Sequence, residues 1–155
     1  MRVLLILPPS KSAIYEVVGV TGPPLGLAYL AAVARDEGHD VRIIDGIAER
    51  LSLAKLGKRI VSYDPEVVGV TATTATMYDA YRVVKLAKSI NPNLVTVMGG
   101  PHVTFLPRQT LEECPHLDMV VRGEGEETFR ELLDVLEKEG RIEEVRGITY
   151  RKEGR

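Results

Sequence analysis

The sequence predicts an α/β fold in which a doubly wound, mainly parallel five-stranded sheet forms the middle layer of a three-layer sandwich. Short apolar runs alternate with helical patterns along the 155 residues. The apolar runs are continuous, which is typical of strands that helices cover on both faces. The order β-α-β-α-β-α-β-α-β-α favours parallel strands joined by right-handed crossovers.

Five segments have the composition of buried strands: residues 3–7, 41–44, 67–71, 94–98 and the shorter run 119–121. The first is too short for a signal peptide and ends at two prolines. Residues 148–150 also look like a strand, but the residues after them offer no partner. We therefore expect the chain to stop within a hairpin, as a fragment of a longer protein would, with a frayed natural terminus as the alternative.

Helical patterns separate these strands. In residues 80–87, and again in 129–136, apolar side chains recur at i, i+3, i+4 and i+7 and form a stripe on one helix face. The first helix, about residues 24–37, is apolar almost all round, so we expect it to be deeply buried. Gly38 can end it in a left-handed conformation. A helix over residues 51–62 has the weakest pattern.

Composition excludes several classes of function. The 20 basic and 22 acidic residues lack the basic excess typical of nucleic-acid binding, and no apolar run reaches the roughly 18 residues of a membrane span. The single cysteine excludes an intrachain disulfide and a cysteine-held iron–sulfur cluster within this chain. We expect a cytoplasmic protein without nucleic-acid or membrane partners. The scarcity of Asn and Gln favours a thermophilic source.

Ligands of open α/β sheets bind outside the carboxyl ends of the strands, so the residues directly after each strand are the candidate site. Pro9 and Ser10 follow the first strand and begin a connection of about 16 residues, which is long for this fold and favours a ligand-facing loop that ends near Gly26. Neither GxGxxG nor GxxxxGK[ST] occurs, which argues against a dinucleotide or P-loop site.

Threonines follow the third predicted strand, and two glycines follow the fourth. Thr71, Thr73 and Thr74 place hydroxyls beside a helix N-terminus, where they could hold a phosphate or an amide-bearing ligand. Helix capping by one threonine is the alternative. Gly99 and Gly100 permit close approach of a bulky ligand, although a simple turn explains them equally well.

The remaining candidates follow the glycines and the fifth strand. Pro101 precedes His102, which is a candidate ligand or acid–base group, although a loop histidine bonded to the backbone is more common. Gly123, Glu124 and Gly125 follow the fifth strand. The Glu124 carboxylate can accept hydrogen bonds from ligand amides, whereas the acidic helix start disfavours an anion.

Three other residues are weaker candidates. Asp45 suits a ribose hydroxyl or a turn equally well. His39 falls on the opposite edge of the predicted sheet. Cys114 has no catalytic partner nearby in sequence, so we interpret it as structural.

These segments, in this order, resemble the cobalamin-binding domain that precedes the catalytic barrel in cobalamin-dependent radical S-adenosylmethionine enzymes. The resemblance covers residues 1–150 and rests on Pro-Pro-Leu-Gly-Leu-Ala-Tyr-Leu (23–30), Gly-His (38–39), Thr-Ala-Thr (71–73), Gly-Gly-Pro-His (99–102) and Gly-Glu-Gly-Glu (123–126). It implies a flavodoxin-like or Rossmann-like fold, and it makes residues 151–155 the start of a connection to a C-terminal domain missing from this chain.

The resemblance also implies cobalamin as the ligand, with its nucleotide tail beside residues 71–74. The D-x-H-x-x-G motif of other cobalamin domains is absent, so no histidine lower ligand is expected from the first loop. S-adenosylmethionine and a 4Fe-4S cluster would bind only to the absent barrel, which would carry methyl transfer or related radical chemistry. The patch where that barrel docks would allow weak self-association.

The cofactor-binding residues expected on these grounds are Pro9, Ser10, Gly26, Thr71, Thr73, Thr74, Gly99, Gly100, Pro101, His102, Gly123, Glu124 and Gly125. No catalytic or metal-ligating residue is expected within the chain itself. The main alternative is a flavodoxin-like nucleotide-binding domain of a transferase such as a glycosyltransferase. A response-regulator receiver is disfavoured, because two prolines and Thr71 occupy the positions of its acidic residues.

Overall fold

The computed structural model describes residues 1–10 and 22–152. Within these residues six strands form one sheet: β1 (Arg2–Leu7), β2 (Asp40–Asp45), β3 (Val67–Thr71), β4 (Val95–Gly99), β5 (Met119–Val121) and β6 (Ile148–Tyr150). The helices of the same part of the chain are α1 (Leu25–Asp36), α2 (Leu53–Tyr63), α3 (Met77–Ile90), α4 (Pro101–Phe105), α5 (Pro107–Glu113) and α6 (Glu126–Glu137), and a short 3-10 helix, Ile142–Glu144, precedes β6.

The sheet is doubly wound, as predicted. Its strand order is β2-β1-β3-β4-β5-β6, and the pairs from β2 to β5 are all parallel. The winding direction therefore switches between β1 and β3, which is where ligands bind in folds of this kind.

The sixth strand corrects the expected strand number and the expected pairing of residues 148–150. β6 runs antiparallel to β5, with Val120 opposite Thr149. Its partner is therefore an earlier strand of this chain, and no partner after residue 150 is needed. The pairing covers the edge of β5, whose backbone groups would otherwise face outward.

Helices cover both faces of the sheet. Alternate residues of β1 point to opposite faces: Leu5 packs with α1 and α6, and Leu4 packs with α2 and α3. Phe129 of α6 and Ile60 of α2 are among the largest buried side chains of these two layers. Because β1, β3, β4 and β5 are buried on both faces, their sequences are mainly apolar, whereas the edge strand β2 contains Asp40, Arg42 and Asp45.

Helix α1 is less buried than predicted. Leu27, Ala31 and Ala34 face the sheet, whereas Leu25 and Tyr29 are each 62% exposed. A helix in an outer layer packs only one side against the sheet, so even large apolar residues on its other side stay exposed.

The weakly predicted second helix is confirmed as α2. The Ser52 hydroxyl caps its start by accepting a hydrogen bond from the Lys55 amide at 3.3 Å. Across residues 1–10 and 22–152 no helix is both long and apolar enough to cross a membrane.

The last described residues are packed against the domain. The Arg151 amide donates to the Asp118 carbonyl at 3.1 Å, and its guanidinium donates to the Leu111 and Cys114 carbonyls at the end of α5. That residues 151–155 begin a connection to another domain stays a prediction.

Candidate functional site

A cavity of about 390 Å³ opens at the carboxyl edge of the sheet, at the switch point between β1 and β3. Helices α1 and α6 form its sides. Its floor is the sheet itself, with the side chains of Leu5, Val97 and Val121. Phe129 of α6 adds a further apolar surface. Most of the wall is apolar, so the cavity suits a flat, largely apolar group.

Glycines occupy two strand positions that face the cavity. Gly69 and Gly99 lie on the same sheet face as Val97, because side chains alternate along a strand. A Cβ atom on Gly99 would have the Val121 carbonyl oxygen as its nearest neighbour, at 3.9 Å. A Cβ atom on Gly69 would lie 2.7 Å from Leu5 Cδ2. The missing side chain of Gly99 therefore leaves space open, whereas Gly69 allows the Leu5 side chain to pack closely against β3.

Gly100 is required for a different reason. Its φ angle of +105° is one that residues with a side chain rarely adopt. A Cβ atom there would also lie 2.7 Å from the Ala72 carbonyl oxygen. The two glycines therefore differ: Gly99 leaves space, and Gly100 makes the turn.

Hydrogen bonds connect the turns that follow β3, β4 and β5. The Ala72 amide donates to the Gly99 carbonyl at 2.9 Å, and the His102 amide donates to the Ala72 carbonyl at 3.3 Å. Thr104 Oγ1 donates to the Gly100 carbonyl and accepts from the Gly123 amide, both at 3.0 Å. One side of the cavity mouth is therefore a connected network.

The threonines after β3 bond mainly to one another and to α4. Thr71 lines the cavity, whereas Thr73 and Thr74 are exposed and do not line it. The Thr73 amide donates to Thr76 Oγ1 at 3.1 Å. Thr76 is the N-cap residue of α3, but its side chain makes no capping bond there. Thr71 therefore offers the hydroxyl of this loop that is best placed for a ligand.

His102 belongs to helix α4 and is buried. The residue is 6% exposed, and its ring Nδ1 lies 3.2 Å from Thr74 Oγ1. Its side-chain partner is a neighbouring hydroxyl, in contrast to the backbone group that is common for loop histidines. Pro101 is exposed in the first turn of the same helix. Neither residue lines the cavity.

The first loop is only partly described. Pro9 and Ser10 do not line the cavity. Pro9 packs against the end of β2, where a Cβ atom on Gly46 would lie 2.5 Å from the Pro9 nitrogen. Gly26, at the start of α1, does line the cavity. The rest of the predicted ligand-facing loop, residues 11–21, lies outside the described residues.

The turn after β5 contributes all three of its predicted residues. Gly123, Glu124 and Gly125 line the cavity, and Glu126 lies beside them. The two carboxylates at the mouth favour a ligand with amide or hydroxyl donors over an anion.

The weaker candidates have structural roles. The Asp45 carboxylate accepts hydrogen bonds from the amides of Ile47 and Ala48, as in a turn. Burial raises the pKa of the Cys114 thiol, which disfavours the reactive thiolate. His39 is buried at the opposite edge of the sheet, and its Nδ1 lies 3.2 Å from the amino group of Met1. Within the described ranges no three metal-ligating side chains form a cluster.

Sequence reasoning missed Gly69 and Thr104. A glycine inside an apolar strand is itself a signal of space or close approach, and that signal could have identified Gly69. Thr104 carries no such signal, because its partner Gly123 belongs to a distant segment that only the fold brings close.

The doubly wound sheet and the glycine-lined cavity at its switch point define a flavodoxin-like ligand-binding domain. The sequence model of the B12 binding domain family matches residues 11–133. The chain belongs to this family, and the resemblance inferred from its sequence is confirmed.

Two relatives illustrate this membership. The chain is 57% identical over all its residues to an uncharacterized methyltransferase of Pyrococcus horikoshii, of which it covers 34%. It is 39% identical, over 97% of its length, to the anaerobic magnesium-protoporphyrin IX monomethyl ester cyclase of Rubrivivax gelatinosus, of which it covers 28%. The chain thus spans about a third or less of these relatives.

A solved structure also matches the fold. The cobalamin-dependent S-adenosylmethionine radical enzyme OxsB, with aqua-cobalamin and S-adenosylmethionine bound, superposes with a TM-score of 0.82. The sequences are 25% identical, and the match covers 98% of this chain and 21% of OxsB. The comparisons do not support the alternative of a glycosyltransferase domain.

Proposed function

We propose that this chain binds cobalamin, with the nucleotide tail in the cavity at the carboxyl edge of the sheet. We further propose that it is the cofactor-holding part of a larger cobalamin-dependent radical S-adenosylmethionine methyltransferase. The observation that carries the proposal is the open space beside Gly99, directly above an apolar floor at the switch point.

The residues present fit such a ligand. Leu5, Val97 and Val121 offer an apolar surface to a flat base. The Thr71 hydroxyl and the Glu124 carboxylate are polar partners for the amides and hydroxyls of the cofactor. Bound cobalamin would supply the methyl-carrier chemistry, and this chain would supply position and shielding from water.

The chain offers no histidine ligand for cobalt from its first loop, since residues 8–24 contain none. His39 lies at the opposite edge of the sheet, and the His116 carbonyl is bonded to Thr96 near the start of β4. His102 is held by Thr74 outside the cavity lining. We therefore expect cobalamin to bind here without histidine ligation from this chain.

Exposed apolar side chains near the same edge favour a partner domain. Phe105 at the end of α4 is 83% exposed, and Tyr78 and Leu25 at the starts of α3 and α1 are also exposed. The partner that we propose is the catalytic barrel that the sequence resemblance implies, which would carry S-adenosylmethionine and a 4Fe-4S cluster. Without it, this surface would permit weak self-association.

Two further proposals rest on composition. The single, buried cysteine favours a cytoplasmic location. One Gln and two Asn in 155 residues favour a thermophilic source.

A titration with hydroxocobalamin tests the proposal. The 155-residue chain is mixed with the cofactor, passed through a gel-filtration column and read by its visible spectrum. We expect a coloured complex of one cofactor per chain. A colourless protein that binds a nucleotide sugar would instead support the glycosyltransferase alternative.

A pair of variants tests where the cofactor binds. Gly99→Leu fills the cavity without a forbidden backbone angle, so it should abolish retention of hydroxocobalamin while the circular dichroism spectrum stays native. Ala54→Leu adds a similar apolar side chain to α2, on the opposite face of the sheet, and should retain binding. Unchanged affinity of Gly99→Leu would contradict the placement.

A further inference from the structure

The Thr104 side chain joins two glycine turns of the cavity wall. Its hydroxyl donates to the Gly100 carbonyl and accepts from the Gly123 amide, at 3.0 Å in each case. Gly100 and Gly123 both line the cavity, whereas Thr104 does not. The hydroxyl therefore acts on the site through the backbone of its neighbours.

Both glycines need such support. Gly100 has a φ angle of +105° and Gly123 one of +70°. Glycine has no side chain that restricts its backbone, so turns made by glycine depend on external hydrogen bonds for a fixed geometry. A single oxygen atom links the turn after β4 to the turn after β5.

Thr110 shows that the link to Gly123 is the distinctive part. Thr110 Oγ1 donates to the Leu106 carbonyl at 2.7 Å, the same bond to the fourth preceding residue that Thr104 makes. Bonds of this kind are common for threonine in helices. Thr110 does not connect cavity-lining turns and lies outside the cavity lining.

We propose that Thr104 is a positioning residue that holds the Gly100 and Gly123 turns at the separation that the cavity ligand requires. The inference rests on the proposed function for the identity of that ligand, which is cobalamin. Loss of the hydroxyl frees the Gly123 amide and lets the two turns separate, so part of the binding energy is spent on closing them.

Three variants of the 155-residue chain test the proposal with hydroxocobalamin as the probe. Thr104→Val keeps the shape of the side chain and removes both hydrogen bonds, so its dissociation constant should rise about tenfold. Thr104→Ser keeps the hydroxyl and should restore affinity to within about twofold. Thr110→Val removes the comparable bond in α5 and should leave affinity unchanged, even if its melting temperature falls.

A measurement without ligand provides the second readout. Hydrogen exchange of the Gly123 amide, followed by NMR, should be faster in Thr104→Val than in the wild type and unchanged in Thr110→Val. Equal cobalamin affinities of the wild type and Thr104→Val would overturn the inference and leave the proposed function intact. A wild type that retains no cobalamin would overturn both, and unaltered Gly123 exchange in Thr104→Val would overturn the positioning role by itself.

Discussion

At the scale of single residues, the neighbouring glycines Gly99 and Gly100 at the end of β4 have different roles. Gly99 keeps the cavity open, since the nearest atom to an added Cβ would be 3.9 Å away. Gly100 adopts a positive φ angle and packs against the Ala72 carbonyl. Substitution at the first should affect the ligand, and substitution at the second should affect the fold.

Urea denaturation of two alanine variants tests this difference. Gly100→Ala should lower the free energy of unfolding by about 2 kcal/mol. The alanine would have to adopt a positive φ angle, and its Cβ atom would overlap the Ala72 carbonyl oxygen. Gly99→Ala should not destabilise the protein and could gain up to about 1 kcal/mol, because alanine restricts the unfolded chain. Equal losses of stability in the two variants would contradict this assignment.

The candidate residues show what a sequence can predict at this scale. Gly99 directly follows an apolar strand and Gly123 follows one after a single residue, and the structure brings both to the cavity. Thr73 and His102 meet the same criterion, but the Thr73 hydroxyl bonds to Thr76 of its own loop and the His102 ring bonds to Thr74. Position after a strand determines the edge of the sheet, whereas the direction of a side chain depends on the turn that carries it.

At the scale of elements, α1 shows the limit of hydrophobicity as a guide to burial. Its pattern predicted a deeply buried helix, yet Tyr29 faces outward while Leu27 faces the sheet and the cavity. The sequence identifies an outer-layer helix correctly but does not say how much of its circumference is covered.

Two substitutions in α1 measure this asymmetry. Tyr29→Lys should change the free energy of unfolding by less than about 0.5 kcal/mol, since the side chain is largely exposed. Leu27→Ala should cost about 2 to 3 kcal/mol, because it removes buried apolar atoms. The comparison is made by urea denaturation, and a loss for Tyr29→Lys as large as that for Leu27→Ala would show that the outer side of α1 is covered.

Strand β6 shows why pairing is harder to predict than strand formation. Residues 148–150 were recognised as a strand from their composition, but their partner was expected after them. The structure pairs them with β5, and Arg151 anchors the segment to the end of α5. Strand composition is local, whereas a partner is chosen by the edge that the rest of the sheet leaves uncovered.

At the scale of the whole molecule, the alternation of strands and helices is sufficient to predict the doubly wound sheet and the edge at which the cavity opens. The cavity itself was not predictable in size, since its volume depends on how α1 and α6 sit above Gly69 and the floor. The fold places the mouth of this cavity beside exposed apolar residues, which suits one domain of the longer proteins that the chain matches.

The central claim is that the turns after β3, β4 and β5 form one cobalamin site. The most direct test is a two-dimensional NMR spectrum of the labelled chain, recorded before and after addition of hydroxocobalamin. The claim predicts that the amide signals of Gly99, Gly123 and Gly125 shift, while those of His39 and Asp118 at the opposite edge keep their positions. Shifts confined to α2 and α3, or a spectrum unchanged by excess cofactor, would contradict it.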